Sequence, residues 1–261
     1  MTEIQQRLDA ALALSEEAER IVLKYFRNTG LQVELKGDQS PVTVADRGAE
    51  SFLREEILKQ FPDDAILGEE FGEQSGTSGY RWILDPIDGT KAFIYGIPLF
   101  GMLLGLQCNG ENVAGVCRMP GTNDVVYAQT GGGAWWQIKG QDPVQVHVSK
   151  QTSLSDSLFV FTDVECWQTT DNQDVLLRMA DTCRLARGWG DCFGHMLVAT
   201  GRAEVMIDPL LSEWDAAALI PIISEAGGVF MDWTGETTAT GGNGISTTPA
   251  LKEAVLATLR K

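Results

Sequence analysis

One run of residues decides how this chain is read: Trp82-Ile83-Leu84-Asp85-Pro86-Ile87-Asp88-Gly89-Thr90-Lys91-Ala92-Phe93. Its apolar start reads as the end of a strand. Asp85 and Asp88 then stand at the C-terminal end of that strand, separated by Pro86-Ile87. Proline fixes φ and removes a backbone N–H, so the turn it builds can aim both carboxylates and the Ile87 carbonyl at one point. Hard cations such as Mg²⁺ take oxygen ligands of this kind in near-octahedral arrangement. Gly89 and Thr90 follow with consecutive backbone N–H groups at a predicted helix start, an arrangement suited to phosphate. Asp-Pro and Asp-Gly are also ordinary turn dipeptides, so the segment alone leaves a plain turn open.

Other acids lie at comparable places. Gly68-Glu69-Glu70 follows a short predicted strand at 65–67 and reads as a ligand-bearing or a solvated acidic turn. Trp214-Asp215-Ala216-Ala217 opens an otherwise apolar helix predicted over 214–226. There Asp215 either complements the helix dipole or presents a ligand from a rigid element. Asp46 follows Thr43 at the start of a second predicted helix, where Thr-x-x-Asp resembles a capping box.

The flanking pattern gives the organisation. Ile4, Leu8, Ala11, Leu12, Ile21, Val22, Tyr25 and Phe26 form a helical stripe that predicts a helix over 3–28, closed by Gly30. A polar loop at 37–41 precedes the second helix. Strands at 100–107 and 113–118 are separated by Asn109-Gly110, a hairpin signal. A second pair at 125–129 and 134–138 flanks Gly131-Gly132-Gly133. The polar stretch 140–155 divides a single domain of 1–261 into an N-terminal subdomain of about 1–140, with two helices and mainly antiparallel sheet, and a C-terminal α/β subdomain of about 150–261. Beyond it, strands at 158–161, 184–186, 204–207 and 229–232 alternate with helices at 173–182, 191–200, 214–226 and 249–260, the texture of a layered α/β fold.

Composition excludes several partners. The 261 residues carry 36 acidic and 20 basic side chains, a net charge of −16. That balance argues against tracking a nucleic-acid backbone and against docking on anionic lipid. It permits a small anionic substrate, because a bound cation inverts the local field. The cysteine count of 5 is odd and contains no C-x-x-C, which points to reduced thiols rather than a disulfide framework or zinc knuckle. With only His147 and His195, a histidine-based triad or zinc site has little support. The N-terminus has no basic segment followed by an apolar one, and no apolar run approaches the ~20 residues that span a bilayer. The expectation is a soluble cytoplasmic protein.

Taken together, the motifs identify a resemblance. From Pro41-Val42-Thr43-Val44-Ala45-Asp46 through Gly68-Glu69-Glu70 and the run 85–93 to the run 214–228, the chain resembles the inositol monophosphatase superfamily of Mg²⁺-dependent, lithium-sensitive phosphomonoesterases. The resemblance implies an α/β (α+β layered sandwich) fold with fructose-bisphosphatase-like alternating α-β-α-β-α layers, both signatures meeting at a subdomain interface, and a homodimer. It also implies roles. Glu69, Asp85 and the Ile87 carbonyl would hold one Mg²⁺. Asp85, Asp88 and Asp215 would hold a second, and a third, weaker ion would lie near Glu69 with Asp46 contacting its waters. Thr90 would hydrogen-bond the attacking water, helped by Glu69, so that Glu69, Asp88 and Thr90 form the catalytic set. The N–H groups of Gly89 and Thr90 would bind phosphate oxygens. Val44 stands where one branch of the superfamily often carries an acid, which bears on the third ion and not on the other two.

That branch comprises the histidinol-phosphate phosphatases, which the finer pattern resembles most. The stretches are Gly96-Ile97-Pro98-Leu99-Phe100-Gly101, Arg187-Gly188-Trp189-Gly190-Asp191-Cys192-Phe193-Gly194-His195 and Leu197-Val198-Ala199-Thr200-Gly201-Arg202. Histidinol phosphate carries an ammonium and an imidazole beside its phosphate. Asp191, Asp208 and Glu213 are the candidate acids for that cationic end, and Trp189 could stack on the imidazole. Asp191 equally fits a helix-opening acid, and Trp189 ordinary packing. The expected activity is Mg²⁺-dependent hydrolysis of L-histidinol phosphate. The alternatives are an inositol monophosphatase or other small sugar-phosphate phosphatase of the same fold and, more remotely, a non-catalytic metal-binding protein.

Overall fold

The computed structural model describes residues 2–28, 30, 32–37 and 41–260. Helix α1 (Glu3–Tyr25) is capped by Thr2, whose hydroxyl accepts the Gln5 N–H at 3.1 Å. It stops short of residue 28 because Phe26 turns extended and Arg27 takes a left-handed φ of 59°. The strands β1 (Val33–Leu35) and β2 (Pro41–Thr43) pair antiparallel. The polar loop expected at 37–41 lies partly outside the described residues. Helix α2 (Val44–Gln60) opens with the reciprocal Thr43–Asp46 capping box that its sequence predicts.

The larger sheet is built from β3 (Ala65–Gly68), β4 (Gly72–Gln74), β5 (Tyr80–Asp88), β6 (Gly101–Cys108), β7 (Glu111–Met119), β8 (Asp124–Gln129), β9 (Gly133–Ile138) and β10 (Val144–Val146). Its order is β10-β9-β8-β7-β6-β5-β3-β4. Every pairing is antiparallel except β3 with β5. The β6–β7 hairpin turns at Asn109 and Gly110, with φ of 50° and 89°, as its Asn-Gly signal requires.

The smaller sheet holds β11 (Leu158–Phe161), β12 (Leu185–Arg187), β13 (Val205–Asp208), β14 (Val229–Met231) and β15 (Gly244–Thr247) in the order β12-β11-β13-β15-β14. β11 is parallel to β12 and β13, whereas β15 runs antiparallel to β13 and β14. Helices separate and cover the sheets. α1 and α2 pack on one face of the larger sheet through Leu14, Leu53, Ile66 and Trp82. Between the two sheets lie α6 (Asp191–Ala199), α7 (Glu213–Ala216) and α8 (Leu219–Glu225). The outer face of the smaller sheet is covered by α4 (Val164–Thr169), α5 (Gln173–Thr182) and α9 (Lys252–Leu259). The result is the α-β-α-β-α layering anticipated from sequence. A short α3 (Thr90–Ile94) leaves the end of β5.

One packing detail seats the second signature. Gly105 and Gly115 face each other across β6 and β7. A Cβ on Gly105 would lie 2.9 Å from the Ala217 Cβ, and one on Gly115 only 2.0 Å from the Ala218 carbonyl oxygen. The junction of α7 and α8 therefore rests directly on the sheet backbone. The helix expected over 214–226 divides there, although Ala217 and Ala218 keep αR geometry.

Candidate active site

Parallel pairing puts several strand ends on one side of the molecule. Glu69 follows β3, Asp88 ends β5, Thr162 and Asp163 follow β11, and Asp208 ends β13. All line one cleft of about 410 Å³, together with Gly89, Thr90, Lys91, Asp191 and Asp215. A crevice outside the carboxyl ends of parallel strands is where open α/β sheets place ligands.

At the near end, β5 is irregular. Asp85 pairs with Leu103 and Asp88 with Gly101, so one extra residue is inserted on β5 between them. This is a bulge, which re-aims side chains, and Pro86 sits inside it with no N–H to leave unpaired. The Ile87 N–H donates to Asp85 Oδ1 at 2.9 Å, and the Thr90 hydroxyl donates to the Ile87 carbonyl at 3.0 Å. Gly89 takes φ 83°, and α3 starts at the next residue. Asp215 reaches the same point from α7, where its carboxylate also accepts the Ser212 N–H at 2.7 Å. The outcome is that Asp85, Asp88 and Asp215 each offer a carboxylate oxygen within 4.8 Å of the others.

The charge state of this trio follows from its crowding. Burial, then the charges of Glu69, Asp88 and Asp215, hold Asp85 well above the usual carboxylate range. Burial and the charge of Asp215 push Asp88 up to about 8, although the Cys192 N–H opposes the rise. Burial chiefly pushes Asp215 up to about 7. Such a set resists full ionisation unless a cation compensates it. Its all-oxygen donors, convergent on one point, fit a hard divalent ion.

The remaining expected residues separate into those that join this end and those that do not. Glu69 lines the cleft beside Asp85, and Lys36 grips it at 2.7 Å while also holding Glu70 at 2.6 Å. Asp46 is buried, and its Oδ2 accepts both the N–H and the hydroxyl of Thr43. Burial raises it to about 6, with the charge of Glu69 among the lesser causes, and it is not part of the cleft wall.

At the far end, Asp191 adopts φ 53° at the start of α6, and its amide donates to Thr162 Oγ1 at 3.3 Å. Its carboxylate overlies Gly89: a Cβ there would meet Asp191 Oδ2 at 3.1 Å. Asp208 is buried against His195 Nε2 at 3.1 Å, and His195 Nδ1 meets Ser246 Oγ at 2.7 Å. Burial lowers His195 to about 3, so it is a neutral structural link. The second oxygen of Asp208, Oδ1, is buried with no partner among the described residues.

Two of the expected substrate-contact residues lie outside the cleft wall. Glu213 is not in the cleft wall. It opens α7, and Arg81 holds its Oε1 at 2.6 Å, because β5 presents Arg81 directly beside that helix start. Trp189 is 39% exposed and is also absent from the wall, although its neighbours Gly188 and Gly190 line it. Conversely, the wall contains Lys91 and Asp163, an exposed ion pair of 2.8 Å that extends to Glu165 at 2.9 Å. The sequence reading gave Lys91 no role and did not single out Asp163. Their signals were present: Lys91 adjoins the first signature, and Asp163 follows a predicted strand that ends at Phe161.

The inositol monophosphatase family profile matches residues 3–261. The chain belongs to that family. A histidinol-phosphatase of Chlorobaculum parvum is 44% identical to it over 91% of this chain and 90% of the relative. A histidinol-phosphatase of Mycobacterium tuberculosis is 34% identical over 95% of this chain and 96% of its own length. An inositol-1-monophosphatase of Rhizobium meliloti is 36% identical over 78% of this chain and 77% of its own. Among solved structures, the extragenic suppressor protein SuhB of Bartonella henselae superposes with a TM-score of 0.89 at 28% identity, covering 98% of this chain and 99% of that one. An inositol monophosphatase of Zymomonas mobilis does so with a TM-score of 0.86 at 29% identity over the full length of both. Family membership accounts for the cleft as a phosphomonoesterase site. Among the described residues, no helix is long and apolar enough to cross a membrane.

Proposed function

We propose that the cleft hydrolyses L-histidinol phosphate with magnesium as the cation. The observation that carries this reading is the 44% identity to a histidinol-phosphatase along nearly the whole chain. The cleft's electrostatics support it. Beyond the near trio, the wall carries Asp163, Asp191 and Asp208 against one cation among the described lining residues, Lys91. An inositol ring offers such acids only hydroxyls, whereas histidinol offers an ammonium and an imidazole.

In this reading Glu69, Asp85, Asp88, Asp215 and the Ile87 carbonyl hold Mg²⁺, with Asp46 supporting a further ion through water. Bound magnesium supplies neutralising charge for the phosphoryl oxygens and acidity for a nearby water. The chain's own groups supply positioning, which dominates phosphoryl transfer. The Thr90 hydroxyl proton is committed to the Ile87 carbonyl, which leaves the Thr90 oxygen lone pairs to accept a hydrogen bond from the attacking water. Glu69 orients that water from the other side. The N–H groups of Gly89 and Thr90 hold phosphate oxygens, and Asp191 and Asp208 receive the cationic end. The N-terminal subdomain, about 1–140, contributes Asp85 and Asp88. The C-terminal one, from about 150, brings Asp215 and the acids of the far wall.

A phosphate-release panel with purified protein and Mg²⁺ tests the substrate. Histidinol phosphate is expected to exceed inositol 1-phosphate in kcat/KM by about tenfold or more, the discrimination that a paired charge provides. Faster release from inositol 1-phosphate would move the assignment to the sugar-phosphate branch. Magnesium binding with no release from any monoester would make the protein a metal binder only.

A further inference from the structure

We propose that Glu50 and Arg54 of α2 are positioning residues that fix Glu69 for the metal by gripping the backbone of the 68–72 turn. This rests on the reading of Glu69 as a metal ligand. Neither residue lines the cleft.

The observations concern backbone amides. The Glu69 N–H donates to the Leu84 carbonyl on β5 at 3.1 Å. The next two amides, Glu70 and Phe71, donate to Glu50 Oε2 and Oε1 at 2.7 and 3.2 Å. Three consecutive N–H groups centred on the Glu69–Phe71 turn are therefore all assigned, and residue 69 is fixed from both sides. Arg54, one helical turn after Glu50, holds Glu50 Oε1 with Nε at 2.7 Å and reaches the Gly72 carbonyl with its other arm. Gly68 completes the fit. A Cβ there would lie 2.0 Å from Glu50 Oε1, so only glycine lets the carboxylate sit under the turn.

Glu50 is fully buried. A buried carboxylate is costly unless paired and hydrogen-bonded, and these three donors are what offset that cost. With the amides fixed, Glu69 retains freedom only in its side-chain torsions. Its carboxylate meets Lys36 in this structure and needs to travel only by rotamer change to serve a cation. The neutral isostere glutamine would oppose one turn amide with its own NH₂ and lose the Arg54 charge.

The test measures metal affinity directly, by calorimetric titration of the substrate-free full chain with Mg²⁺, beside Mg²⁺ activation curves. Glu50→Gln is expected to weaken Mg²⁺ binding about 10- to 100-fold, the usual consequence of removing an outer partner of a metal ligand. Its kcat is expected to return to within about twofold of wild type at saturating Mg²⁺, a rescue that a general folding defect would not show. Gly68→Ala should act in the same direction, because it displaces the carboxylate while leaving its charge. It also serves if Glu50→Gln does not fold. Glu69→Gln is the control. If Glu69→Gln weakens binding and Glu50→Gln and Gly68→Ala, both folded, bind Mg²⁺ as wild type does, the positioning role is wrong while the reading of Glu69 stands. If Glu69→Gln itself binds as wild type, the reading of Glu69 falls, and the proposal with it.

Discussion

The two ends of the cleft are both acidic, yet they are built differently. At the near end, Asp85 and Asp88 come from one bulged strand end, and Asp215 reaches them from a helix pressed onto sheet backbone at Gly105 and Gly115. At the far end, Asp163 follows β11 and pairs with Lys91, and Asp208 ends β13 and meets His195; Asp191, opening α6, stands between the two ends, its carboxylate over Gly89 and its amide on the Thr162 hydroxyl. On the proposed function, the contrast follows from what each end meets. Carboxylates that share a small cation must converge within a few ångströms, which rigid, contiguous backbone achieves. Carboxylates that face an extended organic cation can stand apart.

The largest effect should come from breaking the near end. Asp88→Asn keeps the shape of the side chain and its contact with the Cys192 N–H, but removes a charged ligand. Loss of several kcal/mol of charge stabilisation corresponds to a fall in kcat of about 100-fold or more. The fold, followed by circular dichroism, should be retained. Turnover near wild type would show that Asp88 is not part of the cation site, and would erase the distinction between the two ends.

A second experiment separates the ends without mutation. Burial and mutual repulsion raise Asp88 to about 8 and Asp215 to about 7 in the folded protein, against an ordinary value of 3.8. Between these limits the raised carboxylates bind more protons in the folded state than in the unfolded chain, so the metal-free protein loses stability as pH rises, with buried His195, lowered to about 3, opposing the trend only up to its ordinary value of 6.5. Burial likewise raises Asp191 and Asp208, so the far end contributes the same sign. On the proposed function, Mg²⁺ binds only the ionised near end and stabilises the folded state by linkage. In chelator, Tm should fall by about 5 °C or more from about pH 5.5 to about pH 8. Saturating Mg²⁺ should flatten most of that slope and leave a remainder from Asp191 and Asp208. A flat profile in chelator would mean that the near acids are not crowded in solution.

The same contrast explains what was legible in the sequence. The near end announces itself because its chemistry needs particular residues at fixed spacing. The bulge at Pro86-Ile87 and the Asn109-Gly110 hairpin are both written in local turn chemistry. Many of the helices and strands were legible from periodicity, down to α5 at Gln173–Thr182, whereas their stacking into five layers was implied by the family resemblance. β15 was not, because its Ser246 and Thr247 are buried polar residues that meet His195 and the Glu204 carbonyl, so no apolar alternation marks it. β1, β4 and β10 are short and mostly exposed, β2 is short though buried, and each is held by its neighbour rather than by propensity. Glu213 was misread for a related reason. Closeness in sequence to Asp215 does not put both on one side of α7, and only the packing of β5 shows that Arg81 claims it. Asp163 was overlooked because its position matters only once β11 lies parallel to β13.

That difference between neighbouring acids supplies the subtlest test. Asp191→Asn removes a charge that lies in the cleft wall over Gly89, so it should lower kcat/KM for histidinol phosphate by about tenfold, the worth of one charge-assisted hydrogen bond. An aryl phosphate with no cationic end should be affected by no more than about twofold. Glu213→Gln removes an acid only a turn from Asp215, but its charge is spent on Arg81. It should change selectivity between the two substrates by less than about twofold and express itself, if at all, in Tm. Equal losses on both substrates for Asp191→Asn would return that residue to a helix-opening role. A selectivity change in Glu213→Gln would mean that the Arg81 pair opens when substrate arrives, so that acid charge near the cleft acts through the field of the whole mouth rather than by direct contact.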